Sequence, residues 1–461
     1  MIAVLEGAGW TLAGGPDDAD VLIVNTCGFI SSAKKESIET SLELKARHPG
    51  RRVIMAGCLS QRYAGELQAE LPEIDGFLGV GDPAGIVALV EGRAPKAPAN
   101  LAPKAPANLA PKAPANLAPK APANLAPKAP RPSSPVIPAQ PARLAGARSY
   151  ERKHLLSFPG SAYVKIAEGC DNRCTYCAIP LIRGPLASRE SASLLQEVGG
   201  LLDRGIREII LIAQDLGSYG KDRGEAALPR LLEKIAGLRG DFWVRLLYIH
   251  PDHFPRDILD LQARDPRILP YFDIPFQHAS PRILRAMGRR SDASRNLDLL
   301  AEIRGSVPGA VIRSTFLAGF PGETGEDFDH LLRFQEAARL DWLGVFTYSR
   351  EDDTPAFAMK GRVKKAVAEE RKGELERRQV PLTAAALDAW VGRSTDVLVE
   401  EQVKGEGLSL GRTYFQAPDV DGLVVLHGTH APGARLRARI LKRNGVDLEA
   451  EDIARAAGPH A

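Results

Sequence analysis

Between residues 162 and 348, short apolar runs alternate with longer amphipathic segments, and no other feature restricts the possible fold so strongly. The apolar runs are 162–166, 208–213, 244–248, 271–274, 311–318 and 343–348, each of strand length. Segments such as 193–204, 228–238, 295–303 and 326–337 lie between them and repeat their apolar residues at helical spacing. A strand followed by a helix and another strand implies a parallel sheet, because only a long crossover returns the chain to the same edge. Six such repeats predict a partial (βα)6 barrel with its chemistry at the C-terminal ends of the strands.

Polar residues collect where those strands end: Gln214 and Asp215, His250, Gln277 and His278, the stretch G-F-P-G-E-T at 319–324, and Ser349 to Glu351. Taken one at a time they have ordinary readings. A histidine at a strand end is usually a hydrogen-bonded structural one, and G-F-P-G-E-T is also what a turn and a helix cap look like. Their shared position on one rim favours a site. The first strand of the set runs into E-G-C-D-N-R-C-T-Y-C (168–177), where Cys170, Cys174 and Cys177 have C-x3-C-x2-C spacing. Three thiolates so placed can hold three corners of a cubic iron–sulfur cluster, leaving one iron open to a small chelating molecule. Zinc is the plainer alternative, but it closes its shell with a fourth Cys or His, and the nearest candidate, His154, precedes the strand.

Two more cysteines follow a second group of strands. The apolar runs 20–25 and 52–56 lead to Cys27 and Cys58, residues 31–47 between them have helical spacing, and a run at 76–80 follows a helix near 64–71. Each cysteine alone is by default a small buried hydrophobe. Two at equivalent ends of parallel strands can converge on one site, although two thiolates are few for a cluster that normally takes three or four. Residues 1–7 read as the end of a helix, so the strand expected before it is missing and the start of the chain reads as clipped.

From residue 94 the sequence A-P-K-A-P-A-N-L repeats with period eight. Alanine and proline without aromatic residues cannot bury enough surface to offset ordering entropy, so 94–150 is expected to be a disordered or polyproline-like linker. Solenoid repeats are longer, at roughly 20 residues or more. The other expected domains are 1–93, 151–388 and 389–458. Within the last of these, runs at 397–401, 409–414, 422–426 and 434–441 alternate like the strands of a small antiparallel barrel, with Arg435, Arg437 and Arg439 on one face of the final strand. The 44% hydrophobic and 25% charged content is that of a soluble globular protein, and no apolar run reaches the roughly 18 residues of a membrane span, which suggests a cytoplasmic protein with no membrane partner. Five cysteines, an odd number at metal-type spacing, suit a reducing compartment, and a formal charge of +3 is too small to demand a nucleic-acid partner.

Cys170, Cys174 and Cys177, with Tyr176 immediately before the last, resemble the signature of the radical S-adenosylmethionine (SAM) enzymes. The resemblance implies that the amino and carboxylate groups of SAM chelate the open iron of a [4Fe-4S] cluster, and that one electron cleaves SAM to methionine and a 5′-deoxyadenosyl radical. N-T-C-G-F (25–29) and G-C-L-S-Q-R-Y (57–63) resemble the N-terminal domain of the methylthiotransferases, where three cysteines bind a second [4Fe-4S] cluster. The family's first cysteine, in a G-C-P-K-N-like stretch, has no counterpart here. Either the start is assigned downstream, or the second cluster rests on Cys27 and Cys58 alone.

The stretches 213–222, 273–280, 316–324 and 348–356 resemble one branch of that family, which adds a methylthio group to an aspartate β-carbon of small-subunit ribosomal protein twelve, alone or in the ribosome. A radical suits that reaction, because an aliphatic C–H offers no acidic proton to a base. The same resemblance implies that Tyr176 lies by the adenine of SAM, that Gln214, Gly319 and Glu323 contact SAM, and that flavodoxin or ferredoxin donates the electron; it assigns no catalytic acid or base. Residues 411–422 resemble a TRAM domain, implied to hold the ribosomal protein. Two departures stand out: Ala187 replaces a common arginine, and Asp353 occupies a usual glycine. The alternatives are a tRNA adenosine methylthiotransferase and a noncatalytic RNA-binding iron–sulfur protein, which the arginines at 435–439 would serve.

Overall fold

The computed structural model describes residues 1–81, 83–93, 136–137 and 154–453. The octapeptide repeat lies outside the described residues. Two compact units emerge, the first mainly Met1–Arg143 with the short segment Leu181–Arg183, and the second mainly Leu155–Pro180 and Gly184–Ala461.

The first unit is a parallel sheet of β1 (Val21–Thr26), β2 (Arg52–Gly57), β3 (Gly76–Leu78) and β4 (Val136–Ile137), in that order. The helix Ser31–Arg47 makes the crossover expected from its spacing. Val53, Ile54, Met55 and Ala56 in β2 are all fully buried, because the strand is covered on both faces. Val53 and Met55 pack with Leu22, Ile38 and Phe77, whereas Ile54 and Ala56 pack with Leu78, Ile86 and Leu89 on the other side. Strand β4 falls within the linker expected over 94–150, the rest of which lies outside the described residues: Val136 and Ile137 pair in parallel with Phe77 and Leu78. Two residues are too short a run to show a period, so the sequence held no strand signal there.

In the second unit, β5 (Ser161–Lys165) is followed by a short hairpin of β6 (Ala167–Glu168) and β7 (Ala187–Ser188), and then by β8 (Glu208–Ile212), β9 (Trp243–Leu247), β10 (Tyr271–Asp273), β11 (Val311–Ala318) and β12 (Trp342–Thr347). The six expected barrel strands are all present, split into two parallel three-stranded sheets, β5-β8-β9 and β10-β11-β12. Between them Leu269 N donates to Val244 O and Ile249 N to Asp273 O, both at 2.9 Å. Alternate residues such as Val164, Leu211, Leu246 and Phe316 point to the covering helices, where they meet Leu194, Leu231, Leu300 and Leu331. The other set faces the concave side.

The C-terminal strands β13 (Ser394–Val403), β14 (Leu408–Arg412), β15 (Val424–His427), β16 (Arg435–Asn444) and β17 (Asp447–Asp452) close a barrel in the order β13-β14-β15-β17-β16. Sequence reading found four of the five. Strand β17 reads D-L-E-A-E-D and looks like a polar loop, yet Leu448 and Ala450 are fully buried and its parallel pairing with β15 closes the barrel. This small barrel caps the N-terminal ends of the larger one: Trp243, Tyr271, Val311 and Trp342, each at the start of its strand, share a core with Val397, Phe415 and Leu426. Trp342 Nε1 also donates to Phe415 O at 2.7 Å. A buried ion network crosses the same boundary. Glu208 Oε1 accepts from Arg245 Nε and its Oε2 from Arg412 Nη2, both at 2.6 Å, and Arg412 Nε reaches Glu400 at 2.5 Å.

The expected basic face needs correcting. It lies on β16, which is not the final strand, and its charges are paired: Arg435 with Asp241, Arg437 with Asp396 at 3.2 Å and Arg439 with Glu451 at 2.5 Å.

Candidate active site

The cysteine loop follows β6 and is gripped by several elements. Gly169 adopts φ +75°, and a Cβ there would lie 2.1 Å from the Pro185 carbonyl oxygen, so only glycine allows Cys170 N to donate to Gly184 O at 3.1 Å. Asp171 Oδ1 accepts from Leu186 N at 3.0 Å, and Asn172 Nδ2 donates to Asp215 Oδ2 at 3.0 Å. Further along, Thr175 N donates to Met287 O at 3.0 Å and its hydroxyl to Ala286 O at 2.7 Å. The Thr175 carbonyl accepts from Ala356 N at 2.9 Å.

All three thiols on the loop are free and half-buried. Burial pushes Cys170 up to about 11 and Cys177 up to about 12, so ionised sulfur at these positions calls for a bound cation. Iron supplies that charge, and the residues present therefore fit an iron–sulfur cluster. Among the described residues no three His, Cys, Asp or Glu side chains meet closely enough to grip a single metal ion. A cubic cluster takes each thiolate on a different iron, so its ligands need not converge on one point.

Asp215, at the end of β8, is the hub of the rim. It is buried and accepts from Gly217 N at 3.1 Å, Ser218 Oγ at 2.7 Å and His250 N at 3.1 Å, besides Asn172, and it pairs with His253 Nδ1 at 2.9 Å. Burial alone would raise this carboxyl, but the donors around it outweigh that and hold it down at about 2. His250 is kept neutral, at about 3, by burial and by the Arg289 charge. Asp252 N donates to its Nδ1 at 3.2 Å, which leaves Nε2–H facing Cys174 Sγ at 3.9 Å. Arg289 is also buried and fixes Tyr176, donating to the phenol oxygen from Nη2 at 3.1 Å and to Pro275 O from Nη1 at 2.7 Å. The Tyr176 ring packs against Leu317, Phe320 and Met287.

Gln214 sits on this rim with a buried Oε1 that has no hydrogen-bond partner among the described residues, an acceptor free for a ligand. Gly319 turns at φ +79°, and its amide donates to Glu323 Oε2 at 2.8 Å. Glu323, expected to contact SAM, lies directly beneath this turn. Its side chain is fully buried, with Oε2 taken by the Gly319 and Phe320 amides and Oε1 by Arg371 at 2.6 Å, so it supports the turn from below. His278 is likewise structural, its Nδ1 accepting from Ala279 N at 2.9 Å and Ser280 N at 3.0 Å. Sequence reading missed Arg289 and His253. Neither carries a local signal, since Arg289 meets Tyr176 across 113 positions.

In the first unit, Thr26 and Gly57 are partners in the parallel register, so Cys27 and Cys58 leave neighbouring strands side by side. A Cβ on Gly28 would come 2.6 Å from the Cys58 carbonyl oxygen, which shows how closely the two loops pass. Both thiols are free and half-buried.

Residues 164–334 match the Radical SAM superfamily, 1–79 match the uncharacterized protein family UPF0004, and 391–453 match the TRAM domain. "Ribosomal protein uS12 methylthiotransferase RimO" of Treponema denticola is 41% identical over 98% of this chain and 96% of its own length. The chain belongs to the RimO family. The protein of the same name from Heliobacterium modesticaldum is 39% identical over 98% of this chain and 91% of its own. Among solved structures, the radical SAM methyltransferase TsrM from Kitasatospora setae aligns with TM-score 0.51 at 17% identity, covering 77% of this chain and 66% of its own, a likeness of fold.

Both departures noted above can be placed in this member of the RimO family. Asp353 adopts φ +62°, the left-handed region that favours glycine and that aspartate tolerates better than most residues. Ala187 lies in β7 opposite Glu168, beside the cysteine loop.

Proposed function

We propose that this protein is a radical SAM methylthiotransferase that modifies the β-carbon of an aspartate in ribosomal protein uS12, free or in the ribosome. The observation that carries this reading is identity to proteins of that name along nearly the whole chain. The cofactors are SAM and [4Fe-4S] clusters. Cys170, Cys174 and Cys177 would hold the cluster that binds SAM, and Cys27 with Cys58 would hold two corners of the second. When bound, these groups supply an electron, a carbon radical able to take an unactivated hydrogen, sulfur and a methyl group.

The chain's own residues bind and orient. Tyr176, anchored by Arg289 and backed by Leu317 and Phe320, offers an apolar surface for the adenine. The unpartnered Gln214 Oε1 would accept from the SAM amino group. Gly319 brings bare backbone to the ligand, and Glu323 is a positioning residue that fixes its amide. Asp215, through Asn172, holds the cysteine loop against the barrel rim.

The TRAM-like domain would grip the ribosomal protein, and a flavodoxin or ferredoxin would deliver the electron. No helix among the described residues is long and apolar enough to cross a membrane, and we place the activity in the cytoplasm. The domain limits that go with this reading are 1–93, 94–150, 151–388 and 389–458.

The test offers uS12 and tRNA separately to the anaerobically reconstituted protein with SAM and a reductant. Mass spectrometry should show uS12 gaining one sulfur and one methyl group, with tRNA unchanged and Cys174→Ala inactive. Modification of tRNA in place of uS12, or failure to cleave SAM, would refute the proposal.

A further inference from the structure

Two large aromatic side chains remain exposed among the described residues, Tyr248 at 48% and Phe346 at 49%; Phe346 belongs to the concave side of the larger barrel, and the Tyr248 phenol interacts electrostatically with Asp273 and Arg313, which line that side. On β12, Leu343 and Val345 pack toward the helices, which turns Gly344 and Phe346 inward. A Cβ on Gly344 would meet Arg313 Nη2 at 3.6 Å, the Phe346 ring at 3.7 Å and Thr315 Oγ1 at 3.9 Å, so these groups share one surface. Tyr248 follows β9 with φ +69°, a backbone state unfavourable for a bulky side chain. Its neighbours impose that state: Tyr248 N donates to Asp273 Oδ2 at 3.3 Å, and its carbonyl accepts from Leu216 N at 2.9 Å. Strain of this kind persists where the surroundings over-determine it, and it clusters at functional positions.

The two rings stand close to the rim. Leu317, one alternation beyond Thr315, packs with Tyr176, and Tyr348, one alternation beyond Phe346, meets the Phe320 ring. We propose that Tyr248 and Phe346 determine specificity by clamping the aspartate-bearing peptide segment of the substrate in the barrel's concave side; the proposal rests on the function given above. Charge favours a peptide over RNA. Arg313 lies between Asp273 at 3.2 Å and Asp421 at 3.5 Å, while Arg245 and Arg412 are engaged by Glu208. The concave-side arginines Arg313 and Arg245 are committed to carboxylates, whereas RNA binding depends on cations that neutralise phosphates.

The test compares Tyr248→Gly, Tyr248→Phe and Phe346→Ala with the unaltered protein, measuring KM and kcat for uS12 together with iron content and the thermal midpoint. Glycine suits the left-handed backbone, so Tyr248→Gly should keep its iron and an equal or higher midpoint while KM rises about tenfold, the scale of one lost aromatic contact. Phe346→Ala should raise KM similarly, kcat should change less than KM in both, and Tyr248→Phe should retain the original KM. An unchanged KM in Tyr248→Gly and Phe346→Ala, or iron loss in step with the KM rise, would overturn the clamp. If the unaltered protein modified tRNA and left uS12 untouched, the functional reading would fail first and the clamp with it.

Discussion

Replacing Glu208 with glutamine should loosen the joint between the two barrels of the second unit. The Glu208 carboxylate is fully buried and receives Arg245 at 2.6 Å and Arg412 at 2.6 Å. Burial pushes its pKa up, but Arg412 and then Arg245 more than reverse this and hold it at about 2, below the ordinary 4.5. A carboxyl depressed on folding stabilises the folded state above its unfolded pKa and loses that contribution as pH falls through the folded one. The window is therefore pH 4.5 down to about 2, and the difference is worth roughly 3 kcal/mol. Breaking a buried pair from one side costs a similar 3–5 kcal/mol or so, because charge is left uncompensated. Urea unfolding can be followed by tryptophan fluorescence, since Trp243, Trp342 and Trp390 all lie at or beside this joint. Glu208→Gln should cost about 3 kcal/mol at pH 7, with the gap from the unaltered protein narrowing as pH falls toward 2. Glu208→Gln combined with Arg412→Gln should cost less than the sum of the two single changes. A loss below about 1 kcal/mol at pH 7, or a gap independent of pH, would refute the account.

Three shorter predictions concern the sites. Cys27→Ser together with Cys58→Ser should lower the reconstituted iron content by about four per chain if the pair holds a second cube, and an unchanged content would remove these cysteines from the cofactor inventory. Gly288→Ala should also cost iron, because its Cβ would lie 2.5 Å from the Arg173 carbonyl oxygen and push the cysteine loop outward; iron analysis and visible absorbance would report this. Asp353→Gly should raise stability by up to about 1 kcal/mol in denaturant titration by relieving the left-handed backbone at φ +62°.

The barrel strands and the cysteine loop were legible in sequence because their signals are local. A run of strand length that is buried throughout marks β11, helical spacing marks Ser31–Arg47, and C-x3-C-x2-C declares its own chemistry. Strands β4 and β17 were not legible, one being two residues long and the other having only two apolar positions, Leu448 and Ala450. Among the rim residues, Gln214 and Gly319 were singled out from their place at strand ends, and both lie on the rim. For Glu323 the sequence shows a carboxylate near a turn but not which way its oxygens face, and folding turns them to the Gly319 amide and Arg371.

What the sequence determined by itself was the order of strands and helices, and the identity and spacing of the cysteines, since both depend on residues within a few positions of one another. Only the tertiary structure decided which charges are available. The arginines of β16 read as a basic face until Asp241, Asp396 and Glu451 neutralise them, and Arg289 became the anchor of Tyr176 only through folding. Pairing of this kind joins positions far apart in the chain, and its strength depends on distance and burial, quantities that do not exist until the chain has closed on itself.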